Sequence, residues 1–256
     1  MTFAVAARCA GVLAAAFASL GTAATQAAEP LKALSSNGVR AALEVLAPQC
    51  ERSVGREVAF EYGTSTSIRQ RIVGGEAVDV LFVVKDSLAD LAPQHLDPKS
   101  IQPLGRAGIG VGIRAGARRF DIGSAAEIRQ ALLAAKSVTY AQDGASREHI
   151  ERMFAQLGIA DEMKAKTLLE QGSTRAAAKV VAGEAEILLT LVSEILPVSG
   201  LELLGPLPGH FQSYVSFDAA VGTKSQDPDD ARGFASCLTL PSPPTTRTWT
   251  AKGIEQ

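Results

Sequence analysis

The sequence predicts a two-lobed α/β protein with a hinge between two domains of parallel or mixed sheet. Short β-like runs alternate with amphipathic helical stretches, the alternation starts again near the middle of the chain, and the last segment is too small to form a domain alone. The length of 256 residues suits one or two domains, and 46% apolar with 20% charged residues is ordinary for a globular protein.

The first set of elements has three strand-like runs separated by two helical runs. Residues 78–84 are apolar apart from Asp79, which is typical of a strand buried on both faces. This βαβαβ order predicts a parallel sheet with helices on both sides. The strands are 31–34, 58–62 and 78–84, and the helices lie at 39–46 and between the turn at 63–65 and residue 72.

A second set of elements repeats the pattern and predicts a second lobe. Its strands are 109–113, 137–141 and 186–191, and its helices are 124–135, 145–157 and 173–181. A late strand at 212–221 and helical runs at 229–237 and 249–254 should return to the first lobe. Lobe 1 is therefore expected at 29–106 with 207–256, lobe 2 at 107–206, and the hinge at crossovers near 106–115 and 206–215.

The first 28 residues have the layout of a secretory signal peptide. Arg8 precedes an apolar run at 9–20, and small residues at 25–27 suit a signal peptidase. We expect cleavage near Ala27 or Ala28 and a periplasmic protein; a retained membrane anchor is the alternative.

Composition argues against several other classes of protein. The formal charge is −2 and the basic residues are scattered, so nucleic acid is not expected as a partner. Cys50 and Cys237 lack metal-site spacing, and a disulfide or two buried thiols are equally compatible with the sequence. That cysteine spacing makes a zinc site unlikely, and no metal is predicted. No cofactor is predicted either, because the glycine-rich run at 108–112 lacks the helix that a dinucleotide site needs.

Four turns that carry glycine and small polar residues each lead into a predicted helix. Such side chains are good helix N-caps, which is the simpler interpretation of any one turn. Free backbone N–H groups and the positive end of a helix also bind anions, at the carboxyl ends of the strands. Two such turns in each lobe favour one anion site across a cleft. The turns are 35–38, 63–66, 144–146 and 172–174.

An arginine follows each of these turns, where a cation opposes the helix dipole. Arg147 and Arg175 are near enough to their caps to reach a bound carboxylate, whereas Arg40 and Arg69 lie further along their helices. The candidate ligand-binding residues are Ser36, Asn37, Thr64, Ser65, Ser146, Arg147, Ser173, Thr174 and Arg175.

Short motifs in a fixed order resemble the periplasmic molybdate-binding proteins of ABC importers and their relatives. They are 34–38, 61–65, 78–81, 183–187 with Ser193-Glu194, and the ending 229–232 through 251–255. The resemblance implies the type II periplasmic binding protein fold, with an oxyanion held by hydroxyl and backbone N–H groups at Ser36, Thr64 or Ser65, Ala145 or Ser146, and Ser173.

Two departures from the family's pattern favour a larger organic anion, such as a di- or tricarboxylate. Leu191 stands where the family's binding tyrosine should fall, and arginines follow turns where the family's site is largely uncharged. Loss of carboxylate affinity when Arg147 and Arg175 are both replaced by alanine would support this hypothesis.

The main functional expectation is a monomeric solute-binding protein that delivers a small anion to an ABC permease. The alternative is an enzyme on the same scaffold, of the aconitate isomerase type, in which a general base moves a proton in a tricarboxylate. His149, His210 and Tyr214 are candidates for that base, although His95, His149 and His210 are separated in sequence and are more simply structural. A purely structural or adhesive protein leaves the four turns unexplained.

Overall fold

A computed structural model describes residues 1–2 and 28–256 of the chain. Most of the predicted signal peptide therefore lies outside the described residues. Within them, no helix is both long enough and apolar enough to cross a membrane. The strands are β1 (Leu31–Ser36), β2 (Val58–Gly63), β3 (Val80–Val84), β4 (Gln102–Arg114), β5 (Val138–Ala141), β6 (Thr167–Glu170), β7 (Ile187–Leu191), β8 (Leu201–Pro206) and β9 (Tyr214–Val221).

The helices lie between these strands and after the last of them. They are α1 (Asn37–Val54), α2 (Ser65–Val73), α3 (Lys85–Leu91), α4 (Ala125–Ala134), α5 (Arg147–Gln156), α6 (Ala160–Lys166), α7 (Ser173–Val181), α8 (Val192–Ile195), α9 (Pro228–Thr239) and α10 (Pro243–Ala251). Short 3₁₀ turns occur at Pro98–Ser100 and Gly209–Phe211.

The strands form two parallel groups that two antiparallel strands connect. In the first lobe, β1 pairs in parallel with β2 and β3, and β9 pairs antiparallel to β3. In the second lobe, β5 pairs in parallel with β6 and β7, and β4 pairs antiparallel to β7 and β8. The predicted two-lobed α/β fold with mixed sheets is confirmed.

Strand β4 belongs to both lobes. Its first part, from Gln102 to Gly108, pairs with β9, and its second part, from Ile109 to Arg114, pairs with β7 and β8. The sequence indicated only the second part as a strand, because Pro103 and Gly105 interrupt the first. A register shift between Pro103 and Gly105 accommodates them. The chain crosses between the sheets in the region predicted as the hinge, and the residue boundaries of the lobes stay a prediction.

Helix α1 is longer than the predicted run at 39–46. Its buried face continues through Ala47 and Cys50, and it ends where Gly55 adopts a left-handed conformation with φ of 70°. Pro48 lies on its exposed side. Cys50 forms a disulfide with Cys237 of α9, with the two Cα atoms 5.6 Å apart. The question that the sequence left open is therefore answered by a bridge between two helices of the first lobe.

Several short elements were not predicted from the sequence. Helix α6 has seven residues and runs directly into the four-residue strand β6, without glycine, proline or asparagine to mark the change. Leu168 and Leu169 are both exposed on this edge strand, so it shows no alternation of buried and exposed residues. Periodicity cannot identify elements this short.

Candidate functional site

The carboxyl ends of β1, β2, β5 and β7 meet at a cleft between the lobes. Helices α1, α2, α5 and α7 begin at this cleft, so the four predicted turns come together there. The cavity has about 20 Å³ of free space, close to the volume of one water molecule. Its lining residues are Ser36, Asn37, Gly63, Thr64, Ser65, Ala141, Gly144, Ala145, Ser146, Ser173, Thr190, Leu191, Glu194 and Phe217.

The first-lobe wall is built from helix caps. The Ser36 Oγ accepts a hydrogen bond from the Gly38 N–H at 3.3 Å, and the Thr64 Oγ1 accepts one from the Ser67 N–H at 3.1 Å. The Ser65 hydroxyl accepts a hydrogen bond from the Val84 N–H at 3.1 Å, which ties α2 to β3. These bonds hold the hydroxyls in place while their own protons can be donated elsewhere.

The second-lobe wall presents Ser146 and Ser173, which are both buried. Ser146 precedes α5 and makes no side-chain capping bond, so its hydroxyl is not used by the helix. In the described chain, the first turns of α1, α2 and α7 contain no acidic residue. The positive ends of these helices are therefore not neutralised by their own first turns.

Glycine at position 38 allows the first turn of α1 to pack against the floor of the cleft. A Cβ atom built there would lie 2.4 Å from the Phe217 Cζ and 3.1 Å from the Leu191 Cδ1. Any side chain at 38 would push the helix away from β9 and β7. The floor beneath the hydroxyl and N–H groups is therefore apolar.

Glu194 is the acidic residue in the wall of the cavity. Its Oε1 accepts a hydrogen bond from the Ser173 hydroxyl at 2.7 Å, and its Oε2 accepts one from the Thr190 hydroxyl. Burial raises the pKa of the Glu194 carboxyl above 4.5, and these two hydrogen bonds act in the opposite direction. A protonated carboxyl is therefore favoured here, and it can donate a hydrogen bond as well as accept one.

Asp143 joins the two lobes at one side of the cleft. Its Oδ2 accepts a hydrogen bond from the Thr64 hydroxyl of the first lobe, and its Oδ1 accepts one from the Gly172 N–H, both at 2.9 Å. The Thr66 hydroxyl also donates to the Asp143 carbonyl oxygen at 3.4 Å. The cleft is closed on the side of α2 and α5 by this contact.

The structure brings together six of the nine candidate residues: Ser36, Asn37, Thr64, Ser65, Ser146 and Ser173 line the cavity. Thr174 lies in an adjoining groove. Arg147 lies outside the cavity lining, where its guanidinium donates to the Glu151 carboxylate at 2.7 Å and to the Gln142 carbonyl at 2.8 Å. Arg175 is exposed and is also outside that lining.

The residues considered as a general base lie outside the cavity lining. The His149 Nδ1 is 3.1 Å from the Ser213 Oγ, the His210 ring packs on Phe211, and Tyr214 packs under the Arg106 guanidinium. Glu194 and Asp143 were not selected from the sequence. An ionised carboxylate beside a predicted anion site would repel the anion, so nothing in the sequence was a reason to select these residues. Burial, which raises the pKa of the Glu194 carboxyl, is visible only in the structure.

The chain matches the model of the bacterial extracellular solute-binding protein family over residues 31–255. It belongs to that family. Among curated proteins, this solute-binding protein is 28% identical over 222 residues to an aconitate isomerase of a Pseudomonas species, with 84% of each chain covered.

Solved structures show the same fold at lower identity. The periplasmic molybdate-binding protein of Azotobacter vinelandii matches with a TM-score of 0.75 and 18% identity, covering 88% of this chain and 99% of that one. The sulfate-binding protein of Mycobacterium tuberculosis matches with a TM-score of 0.67 and 15% identity, covering 89% and 86%. The resemblance stated from the sequence motifs is confirmed, including the type II periplasmic binding protein fold.

Replacement of Asp143 should open the free protein. A hydrogen bond to a charged group contributes about 1.5–3 kcal/mol, so loss of the Thr64–Asp143 bond should shift the open-to-closed ratio about tenfold or more. The D143A variant should therefore show a larger radius of gyration in small-angle X-ray scattering than the parent protein. Asp161→Ala, on the exposed side of α6, is the control; equal radii for D143A and the parent would contradict the prediction.

Ionisation of Glu194 should make stability depend on pH. Because the folded-state pKa is raised, this carboxyl contributes stability that is fully present below about pH 4.5 and lost as pH rises through the folded-state value. Gln resembles the protonated acid, so Glu194→Gln should remove this part of the loss. Thermal unfolding of the parent protein and of E194Q across pH 4.5–8 measures this difference. Burial also raises the pKa of Asp218, but both proteins contain Asp218, so its effect cancels in the comparison. Parallel pH profiles for the two proteins would show that Glu194 does not titrate as described.

Proposed function

We propose that this solute-binding protein captures a small anion between its lobes in the periplasm and delivers it to an ABC permease. One observation carries the proposal: the N-termini of four helices, two from each lobe, reach one cavity lined by hydroxyl groups. Helix N-termini with free N–H donors bind anions without a cationic side chain. Closure of two lobes about a hinge would then surround the ligand.

The electrostatics of the cavity suit an anion held by neutral groups. The residues that line it include no lysine or arginine within the described chain. Each helix N-terminus supplies the equivalent of about half a positive charge. The Ser36, Ser65 and Ser146 hydroxyls supply donors, whereas those of Thr64, Ser173 and Thr190 already donate to Asp143 or Glu194. Glu194 would repel an anion if it were ionised, but burial raises the pKa of its carboxyl and so makes protonation of this group easier.

For the ligand we favour a di- or tricarboxylate over an inorganic oxyanion. Leu191 contributes an apolar surface to the cavity at the position where the resemblance leads us to expect a hydroxyl donor for an inorganic oxyanion. The aconitate isomerase relative, named for a tricarboxylate, supports the same choice. The apolar run near the N-terminus supports secretion, and cleavage near Ala27 or Ala28 is part of the proposal.

Thermal unfolding in the presence of single anions tests this function. The panel is molybdate, tungstate, sulfate, phosphate, citrate, and cis- and trans-aconitate. A ligand at about 100 times its Kd should add about 2.7 kcal/mol to the free energy of unfolding. Ser146→Ala should reduce that gain, whereas Ser124→Ala, which removes the N-cap of α4, should leave it unchanged. If no anion raises the midpoint, the proposed function is wrong.

A second candidate is an isomerase of the aconitate type, and Glu194 is the observation that favours it. In such a reaction a C–H bond breaks, the double bond shifts by one position, and a proton returns to the carbon at the far end. A carboxyl whose pKa is raised by burial is a stronger base than an ordinary carboxylate, and it can accept and return that proton. The 28% identical relative named aconitate isomerase adds support.

Turnover separates the two candidates. An isomerase should convert cis-aconitate to trans-aconitate, as followed by chromatography, and Glu194→Gln should abolish conversion while trans-aconitate still raises the unfolding midpoint. The amide oxygen can still accept a hydrogen bond from one of the Ser173 and Thr190 hydroxyls, and the amide NH2 can donate to the other, so binding should survive. Binding without conversion by the parent protein would leave transport as the function.

A further inference from the structure

A groove between α1 and α7 adjoins the cleft. It has a volume of about 590 Å³, within the usual range for small-molecule sites of about 300–1,000 Å³. Asn37, Ser173 and Glu194 line both the cavity and the groove, so the two spaces share a wall. One side of the groove is the exposed face of α1, and the other is formed by α7 and the segment after α8.

The walls of the groove are largely apolar and made of small side chains. The apolar residues are Ala41, Ala177, Ala178, Val181, Ala182, Pro197 and Val198. Val181 is exposed, although it is apolar, and it faces this space. A surface of this kind suits the carbon skeleton of a small organic molecule.

A buried hydroxyl without a partner also lines the groove. Ser193 is 3% exposed, and its Oγ has no hydrogen-bond partner among the described residues. Buried polar atoms are nearly always hydrogen-bonded, so an unpaired one requires an explanation. A polar group of a ligand in the groove would supply the missing partner.

Arg40 is the cationic residue of this wall. It lies one helical turn beyond Asn37, which corresponds to about 4.5 Å along the axis of α1. Its guanidinium packs 4.6 Å above the centre of the Tyr62 ring and pairs with Glu44 at 2.7 Å. Both side chains of the Arg40–Glu44 pair are about half exposed, and such pairs are weak, so a ligand carboxylate can compete for the guanidinium with Glu44, which also lines the groove.

We propose that this groove is a second subsite, which takes the body and a second carboxylate of a multicarboxylate ligand. The first carboxylate lies at the hydroxyl-lined cavity, the carbon skeleton lies on the alanine-rich wall, the Ser193 hydroxyl bonds a polar group, and Arg40 pairs with the outer carboxylate. This subsite rests on the proposed function, because the first carboxylate occupies the site described there. It also assigns the arginine contact to Arg40 instead of Arg147 or Arg175.

Calorimetric titration of variants tests the subsite with citrate and trans-aconitate as multicarboxylates, and with sulfate and molybdate as inorganic ions. Arg40→Met should weaken citrate or trans-aconitate binding by tenfold or more and change inorganic-ion binding by less than twofold. Arg52→Met, on the same helix outside the groove, changes the net charge equally and should have no effect.

Two further variants examine the walls. Ala178→Trp should fill the groove and weaken multicarboxylate binding alone, while Ala155→Trp, on the exposed side of α5, is its control. Ser193→Ala should also weaken multicarboxylate binding, yet it should not lower the unfolding midpoint of the free protein, because it removes an unpaired polar atom. A midpoint that falls would show that this hydroxyl serves folding.

The outcomes distinguish the subsite from the function on which it rests. Multicarboxylate binding that R40M and A178W leave unchanged overturns the subsite and leaves anion capture intact. If the parent protein binds sulfate or molybdate but no multicarboxylate, the subsite is also overturned and anion capture stays intact. Failure of the whole set to bind overturns both proposals.

Discussion

The site depends on the way two parallel strand groups present their carboxyl ends to each other across β4 and β9. Strands β1 and β2 end at Ser36 and Gly63, and β5 and β7 end at Ala141 and Leu191. Because β4 pairs first with β9 and then with β7 and β8, both sets of ends lie at one cleft. Because each parallel strand leads into a helix, the N-termini of these helices also lie at the cleft. The hydroxyl residues that precede the helices, such as Ser36 and Thr64, come with them.

Two carboxyl groups of the protein itself lie in or beside this anion-ready cleft. Glu194 is held by the Ser173 and Thr190 hydroxyls, and Asp143 is held by Thr64 and by the N–H of Gly172. Burial raises the pKa of the Glu194 carboxyl, so the charge of the cleft depends on the protonation of this residue. Asp143 links the cleft to closure, because its hydrogen bond with the Thr64 hydroxyl crosses between the lobes.

The fold and the hydroxyl residues of the site follow from local sequence signals. Glycine and hydroxyl residues before helical runs identified the turns at Ser36, Thr64, Ser146 and Ser173, because capping is a local interaction. Glu194 could not be found in this way, since its raised pKa arises from tertiary burial. Spacing alone could not show that Arg147 pairs with Glu151, the carboxylate four residues along α5, outside the cavity lining. The groove beside Arg40 lies between α1 and α7, and residue spacing along the sequence does not predict how two distant helices face each other.

In the proposed function, one anion contacts helix N-termini of both lobes at once. Amide hydrogen exchange with and without a saturating anion that raises the unfolding midpoint measures this directly. Protection should increase together at the first turns of α1 and α2 and at those of α5 and α7. Protection confined to one lobe, or appearing only away from these four turns, would contradict it.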